Sequence, residues 1–235
     1  MGQAASRQLA LKLPSRRGGK RPGAGRKPKG RRALVSHHGR PRFEKPTAVQ
    51  VTLRVAGHVW NLRSRRCFET IETCLAEARE RFGFRVIEFT VLGNHLHMVV
   101  EADDDEALSR GMQGLNIRIA KALNRLMKRK GRVFADHYHS RLLRSPTELV
   151  NAIAYVLGNA AHHYGESGPD RFSSRAYETP QRSRILSHPR SWLLRSGWRR
   201  ARLVPQWLAK NSWPPPWTKE HRPDGSAHRI DDHSG

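Results

Sequence analysis

The sequence predicts an α+β fold with the order β-α-β-β-α-β and one additional helix at its C-terminal end. Three observations support this prediction. Apolar residues between positions 47 and 165 switch repeatedly between a two-residue and a helical spacing. A Gly-Asn pair separates two neighbouring strand-like segments, at residues 93–94. A strong helix-start signal then precedes the last helical segment, at residues 145–148.

The first half of this order begins with a strand whose apolar residues lie two apart, at Val49, Val51, Leu53 and Val55. A helix is predicted over residues 68–82 and ends at Gly83. Strands follow at about 84–92 and at 95–101, on either side of the turn. They should therefore pair as a hairpin.

The second half begins with a long helix that has acidic residues at its start, 103–106, and basic residues at its end, 128–130. This distribution complements the helix dipole. A strand is predicted from Val133 to about Arg144. The last helix has Ser145 as its N-cap, Pro146 in its first turn and Glu148 as the capping-box residue. The whole order is that of a ferredoxin-like sandwich with an additional C-terminal helix.

The charge of the chain calls for a polyanionic partner. Its 44 Lys and Arg exceed its 20 Asp and Glu, a formal net charge of +24 in 235 residues. No run of about 18 apolar residues suggests a membrane span. Nucleic acid is therefore the expected partner, and a bacterial cytoplasmic, nucleoid-associated location is the expectation that follows. Cys67 and Cys74 form no metal-binding pattern and are expected to be buried thiols.

We divide the chain into four parts by composition. Residues 1–46 hold 14 Lys and Arg but one acid, and their Gly and Pro content predicts a disordered basic arm. Its Gly-Arg-Pro segment, at residues 39–41, resembles an AT-hook, and the alternative is an unspecific phosphate-binding tail. Residues 47–165 form the folded domain, 166–211 a Trp-rich extension of short helices packing Trp192, Trp198 and Trp207, and 212–235 a disordered tail. The candidate DNA-binding residues of the arm are Arg26, Lys27, Arg31, Arg40 and Arg42.

Two histidines on the predicted strand 95–101 are the first candidates for chemistry. Because side chains alternate along a strand, His95 and His97 project from one face while Leu96, Met98 and Val100 face the core. Two imidazoles on a rigid strand can begin a divalent metal site. The pattern alone is weak, because it recurs by chance in a chain with 13 histidines.

A tyrosine on the last helix is the second candidate. One side of that helix carries polar residues at four-residue steps, namely Asn151, Tyr155, Asn159 and the pair His162/His163. Its buried side is predicted to consist of other residues, namely Leu149, Ile153, Val156, Leu157 and Ala160. The ordinary alternative is a half-buried tyrosine whose hydroxyl makes a structural hydrogen bond.

Four segments occur in an order that resembles a known family: GNHLHMVV at 93–100, MQGLN at 112–116, FADHYHSR at 134–141 and YVLGN at 155–159. Together they resemble the HUH-type single-tyrosine transposases of small insertion sequences, particularly the REP-associated tyrosine transposases. The resemblance covers roughly residues 47–165. One departure is AAHH at 160–163, where relatives commonly continue with Pro, Val and a basic residue.

The resemblance implies a metal-dependent DNA transposase and endonuclease. It implies Mg²⁺ or Mn²⁺ held by His95 and His97, with Asn159 at the position of the third ligand. It also implies that Tyr155 attacks a phosphate of single-stranded, hairpin-forming repeat DNA and forms a 5′-phosphotyrosine intermediate. The protein would act as a monomer or a homodimer, with Tyr155 working in its own subunit or in a partner.

Further DNA-binding residues are proposed from charge alone. Arg118, Lys121, Arg125 and Lys128 lie along one side of the long helix and either follow a phosphate backbone or form a solvated face. Arg63, Arg65 and Arg66, in the predicted loop before the first helix, could grip a DNA hairpin. Two alternatives stay open, a DNA-binding protein that has kept the fold without the activity and an RNA-binding module. The latter ranks last because strand 95–101 has no aromatic residue.

Overall fold

The computed structural model describes residues 42–165, 168–177 and 179–206. The elements of the predicted domain are β1 (Thr47–Arg54), α1 (Arg65–Glu77), β2 (Phe84–Val91), β3 (His95–Ala102), α2 (Asp105–Leu126), β4 (His139–Leu143) and α3 (Pro146–Tyr164). Two short helices follow, α4 (Thr179–Ile185) and α5 (Trp192–Arg195). The arm residues Arg26, Lys27, Arg31 and Arg40, Trp207 and the tail 212–235 lie outside the described residues.

The four strands form one antiparallel sheet in the order β2-β3-β1-β4. β2 and β3 are the predicted hairpin, and β1 lies between β3 and β4. Together with the chain order β-α-β-β-α-β, this arrangement confirms the predicted ferredoxin-like fold.

The two faces of the sheet carry different helices. Val49, Val51, Met98 and Val100 are buried in one core together with the apolar residues of α1 and α2. On the opposite face, a second core joins α3 to buried residues of all four strands, namely Ala48, Ile87, Val99 and Leu143. The predicted apolar side of α3 is fully confirmed, because its five residues are all buried. α3 therefore packs on the sheet face to which His97 belongs.

The first helix differs from its predicted bounds at both ends. Ser64 caps its start by accepting a hydrogen bond from the Cys67 amide, so α1 begins at Arg65 rather than at Phe68. The helix ends at Glu77, and the next residues turn through left-handed backbone at Glu80 and Phe82. Phe82 was predicted to lie on the apolar side of the helix but is 62% exposed.

The last strand is shorter than predicted and spans His139–Leu143. Before it, Phe134 forms only an isolated bridge with Val55. The Arg132 guanidinium donates to the carbonyls of Phe134 and Ala135, which removes these acceptors from a strand ladder. Segment 133–138 is therefore an irregular connection beside β1.

The capping prediction for α3 is confirmed in detail. The Ser145 hydroxyl accepts a hydrogen bond from the Glu148 amide, 3.2 Å, and the Glu148 carboxylate accepts one from the Arg144 amide, 2.7 Å. Gly165, with a φ of 66°, ends the helix in the left-handed conformation that favours glycine. No helix in the described ranges combines the length and apolar character that crossing a bilayer requires.

The segment after α3 is attached to the sheet by two buried carboxylates. Glu88 accepts hydrogen bonds from Ser174 and Arg182. Glu101 accepts from the Arg85 side chain and from the backbone amides of residues 190 and 191. Within the Trp-rich extension, Trp198 is buried as predicted, whereas Trp192 is packed only in part, because it is 54% exposed.

Candidate active site between the third strand and the third helix

The site is built on a row of side chains that crosses the α3 face of the sheet. His97 of β3 lies between Thr90 of β2 and Thr52 of β1, and Thr52 is in turn paired with His139 of β4. The His95 and His97 rings stack with their centroids 5.8 Å apart and an interplanar angle of 10°. The predicted projection of both imidazoles from one strand face is therefore present.

Each imidazole has a fixed partner for its Nδ1 atom. The Nδ1 of His95 lies 2.6 Å from the Asn94 side-chain oxygen, which can only accept, so this nitrogen carries the proton. The Nδ1 of His97 lies 3.0 Å from the Thr52 hydroxyl. With the proton on Nδ1, the lone pair lies on Nε2, and such a second partner orients metal-binding histidines in general.

The surroundings keep both imidazoles neutral. The pKa of His97 is lowered to about 4, mainly because the ring is buried and also because His95 and His163 are nearby. Burial also lowers the pKa of His95, with further contributions from Arg54 and His163. A neutral imidazole is the form that binds metal ions.

Tyr155 of α3 stands directly over this strand. Its ring centroid lies 5.4 Å from that of His97, and the two rings meet edge to face at 87°. The side chain is 50% exposed, unlike the apolar residues of the same helix, so the phenol is open to a ligand. The capped start of α3 and its buried side fix the rotation of the helix and hence the position of Tyr155 over β3.

Asn159 follows Tyr155 by one helical turn and is only 4% exposed. Its amide nitrogen is buried and has no hydrogen-bond partner among the described residues. Within the same ranges, no group of three His, Cys, Asp or Glu side chains could hold a metal ion. The metal donors that the described residues bring together are thus the two stacked imidazoles, and such a pair suits a divalent cation that takes further ligands in its remaining positions.

Arg63 does not belong to an open DNA-binding surface. Its guanidinium donates to both carboxylate oxygens of Asp170, at 2.9 and 3.1 Å, and its side chain is 9% exposed. The same group lies between the rings of Tyr164 and Phe172, at 4.3 and 4.4 Å from their centroids. Arg63 therefore fastens the segment after α3 to the β1–α1 loop, and the DNA contact proposed for it is withdrawn.

The other proposed DNA ligands lie in three places. Arg65 and Arg66 are exposed in the first turn of α1 rather than in a loop, and Arg65 pairs with Glu69. The α2 cations lie across the sheet from the histidines, because α2 packs on the opposite sheet face. They are Arg118, which pairs with Glu77 at 3.8 Å, and the exposed Lys121, Arg125 and Lys128. Arg42 is exposed just before β1.

Sequence reasoning missed the residues that orient the imidazoles. Asn94 was interpreted as a turn residue only, although its position next to His95 was a usable signal. Thr52 gave no signal, because its contact with His97 depends on the register between two strands that are 45 residues apart. The influence of His163 on both strand imidazoles likewise depends on how α3 packs.

The fold and this site define a class of protein, namely ferredoxin-like domains that carry a strand histidine pair opposite a helical tyrosine. Residues 58–156 match the family model described as IS200-like transposase. Over these residues the chain is therefore similar to the IS200-like transposases. The match includes His95, His97 and Tyr155 and ends before Asn159.

One solved structure supports the fold. A REP-associated tyrosine transposase, solved bound to a REP hairpin, aligns with a TM-score of 0.50 at 13% identity, covering 60% of this chain and 82% of that one. A Deinococcus radiodurans R1 protein described as a transposase aligns at 10% identity with a TM-score of 0.37, covering 49% and 91%. A comparison with curated protein sequences gives no match.

Proposed function

We propose that this protein is a metal-dependent DNA transposase that cleaves and rejoins single-stranded DNA through a covalent bond to Tyr155. The observation that carries the proposal is the edge-to-face approach of Tyr155 to His97, 5.4 Å between ring centroids, within one chain. A nucleophile and a potential cation site thereby share one open surface. Both come from the same subunit, which supports a site that works in cis.

The proposed reaction needs one nucleophile and conserves the energy of the phosphodiester bond. The Tyr155 oxygen attacks the phosphorus and loses its proton, the bond from phosphorus to the 3′-oxygen breaks, and that oxygen leaves as a 3′-hydroxyl. The product is a 5′-phosphotyrosine and a free 3′ end. Attack by another 3′-hydroxyl on this bond then reseals a strand and releases Tyr155.

His95 and His97, with Asn159 as the third donor, are the residues that would hold Mg²⁺ or Mn²⁺. Asn94 and Thr52 fit this role because each contacts the Nδ1 atom of one imidazole, which leaves Nε2 as the nitrogen that could bind a cation. When bound, such a cation supplies positive charge that stabilises the leaving 3′-oxygen. Imidazole donors bind Mn²⁺ better than Mg²⁺, so the site should bind Mn²⁺ more tightly.

Hairpin-forming repeat DNA is the proposed substrate. The net charge of +24 supports a DNA partner, and the REP-associated transposase of the same fold was solved with a REP hairpin. Suitable test substrates are the inverted repeats in the DNA that flanks the gene. An oligonucleotide with a scrambled stem serves as the control for hairpin recognition.

The experiment is a covalent-adduct assay on a denaturing gel with Mn²⁺ or Mg²⁺ present. If Tyr155 takes the 5′-phosphate, a 3′-labelled hairpin migrates with the protein, whereas a 5′-labelled hairpin gives a shorter free fragment. Tyr155→Phe should abolish both products. The matched control is Tyr164→Phe, because Tyr164 lies on the same helix and is 45% exposed. This variant should still form the adduct.

Chelation and histidine variants test the metal. Adding EDTA should remove the adduct while DNA binding persists. The same result is expected for the variants His95→Ala and His97→Ala, tested separately. A wild-type protein that binds the hairpin but forms no adduct with either metal would refute the enzymatic proposal. It would favour a DNA-binding protein on the same fold.

A further inference from the structure

A second candidate DNA site lies at the far end of the sheet from the histidines. A groove of about 660 Å³ opens between the chain before β1, the end of β4 and the start of α5. Its walls combine apolar side chains with four exposed cations, which are Arg42, Lys45, Arg144 and Arg190. Among the described residues that line it there is no Asp or Glu. Such a groove attracts an anion.

Trp192 gives the groove an aromatic surface that is held in position. Its indole is 54% exposed, yet a Cβ on Gly197 would come within 2.6 Å of the ring. The ring therefore packs directly on the Gly197 backbone, which only glycine allows. The Arg200 guanidinium lies 5.3 Å from the ring centroid. An exposed aromatic ring fixed in this way is ready to stack with a flat ligand.

The backbone next to Trp192 is fixed by Glu101, which is fully buried. Its two carboxylate oxygens accept hydrogen bonds from the Arg190 and Ser191 amides, each 2.7 Å, and from the Arg85 guanidinium, also 2.7 Å. A buried carboxylate with charged and backbone donors is a strong anchor. The groove is thus a preformed part of the fold.

We propose that this groove binds an unpaired nucleotide of the single-stranded DNA that continues from the cleavage site. The base would stack on Trp192, and Arg144 and Arg190 would contact its neighbouring phosphates. Stacking on an aromatic ring beside cations is how single strands are held without base pairing. The inference rests on the proposed function for its substrate, but it concerns residues that lie outside the catalytic row.

The strand registers support one continuous path between the two sites. The groove touches Ala48 and Leu143, which pair with each other, whereas the catalytic row passes through the paired Thr52 and His139. Four residues along β1 separate these pairs, about 13 Å at ~3.3 Å per residue. Arg141, whose side chain is 67% exposed, lies between them on β4. The rest of the basic arm has the same sign of charge as the groove and would be repelled here, so DNA is the better occupant.

Photocrosslinking locates the strand directly. We would irradiate the full chain with hairpin oligonucleotides that carry 5-iododeoxyuridine at successive unpaired positions and identify the crosslinked peptide by mass spectrometry. The proposal expects a crosslink at Trp192 from a small set of adjacent positions. Crosslinks that map only to other residues would overturn it.

Affinity measurements provide the second test, by fluorescence anisotropy with a labelled hairpin that has unpaired flanks. Trp192→Ala should weaken binding about tenfold, Gly197→Ala should weaken it by displacing the ring, and Trp192→Phe should restore most of it. A hairpin without flanks should bind every variant equally. The matched control is Phe82→Ala, because Phe82 is an aromatic residue that is 62% exposed and does not line the groove. Unchanged affinity of Trp192→Ala for flanked DNA would refute the proposal.

The two proposals fail separately. If wild-type protein forms no Tyr155 adduct but crosslinks at Trp192, the groove remains a DNA subsite and the catalytic proposal falls. If the adduct forms normally but Trp192→Ala binds flanked DNA as tightly as the wild type, or wild-type crosslinks map only to other residues, the groove proposal falls alone. Circular dichroism of Trp192→Ala checks that the fold is retained.

Discussion

Replacing His97 should change how the stability of the metal-free protein depends on pH. The ring is 6% exposed, and its pKa is lowered from 6.5 to about 4 by burial and by His95 and His163. Between these values the unfolded chain binds a proton at His97 that the folded protein excludes. The stability that the neutral His97 ring contributes is therefore fully present above about pH 6.5, and this contribution is lost as the pH falls towards about 4.

The size of this effect follows from the same two values. A difference from 6.5 to about 4 corresponds to about 3 kcal/mol, at ~1.36 kcal/mol for each pKa unit. The assay is urea unfolding in EDTA at several pH values, comparing wild type with His97→Gln. Between pH 7 and pH 4, the wild type should lose up to about 3 kcal/mol more unfolding free energy than His97→Gln.

A matched control removes the contributions of other titrating groups. His137→Gln is this control, because it makes the same substitution at an exposed histidine. Parallel curves for wild type and His97→Gln would refute the reasoning, because they would show that the His97 imidazole is not shielded in the fold. The geometry argued for the candidate metal site would then lose its electrostatic support.

Three further predictions test the site and its scaffold. Thr52→Val should weaken Mn²⁺ binding about tenfold to a hundredfold in a calorimetric titration, because it removes the hydroxyl that orients an imidazole. Gly111→Ala should lower the unfolding free energy by about 1–2 kcal/mol in urea, because its Cβ would overlap the buried Phe84 ring and outweigh the ~1 kcal/mol gain in helix propensity. Arg182→Ala should lower the unfolding free energy, again measured in urea, by about 3–5 kcal/mol, because it leaves the Glu88 carboxylate buried without its cation.

The fold was predictable because its signals are local. The alternation along β1 and the serine, proline and glutamate at the start of α3 determine their elements without reference to the rest of the chain. The end of α1 was not predictable in this way. Residues 78–82 have helical composition, yet Glu80 and Phe82 adopt left-handed backbone. The exposed position of Phe82 shows that tertiary context decided against the helix.

The shared strand face of the two histidines was predictable, whereas the residues that support them were not. His95 and His97 share a strand face by local geometry alone, and the resemblance supplied Tyr155 and Asn159. The partner of Arg63, by contrast, is Asp170, which lies 107 residues further along the chain. No periodicity relates such positions, so a loop arginine that looked free for DNA could not be recognised as a structural one.

The same distinction applies to the remaining cations. A lysine or arginine contributes to DNA binding only if it lies on a surface that is continuous with the site. The sequence shows which residues are charged, but it does not show which face of the protein they occupy. The sheet separates the α2 cations from the His95–His97 row, because α2 and α3 pack on opposite faces. In the proposed reaction, a strand cleaved at Tyr155 would reach the cations beside β1 and β4 by a direct path along the sheet, whereas it would reach those of α2 only by passing around an edge. Removing Arg144 and Arg190 should therefore weaken binding of flanked hairpins more than removing Lys121 and Arg125, although each pair carries two charges.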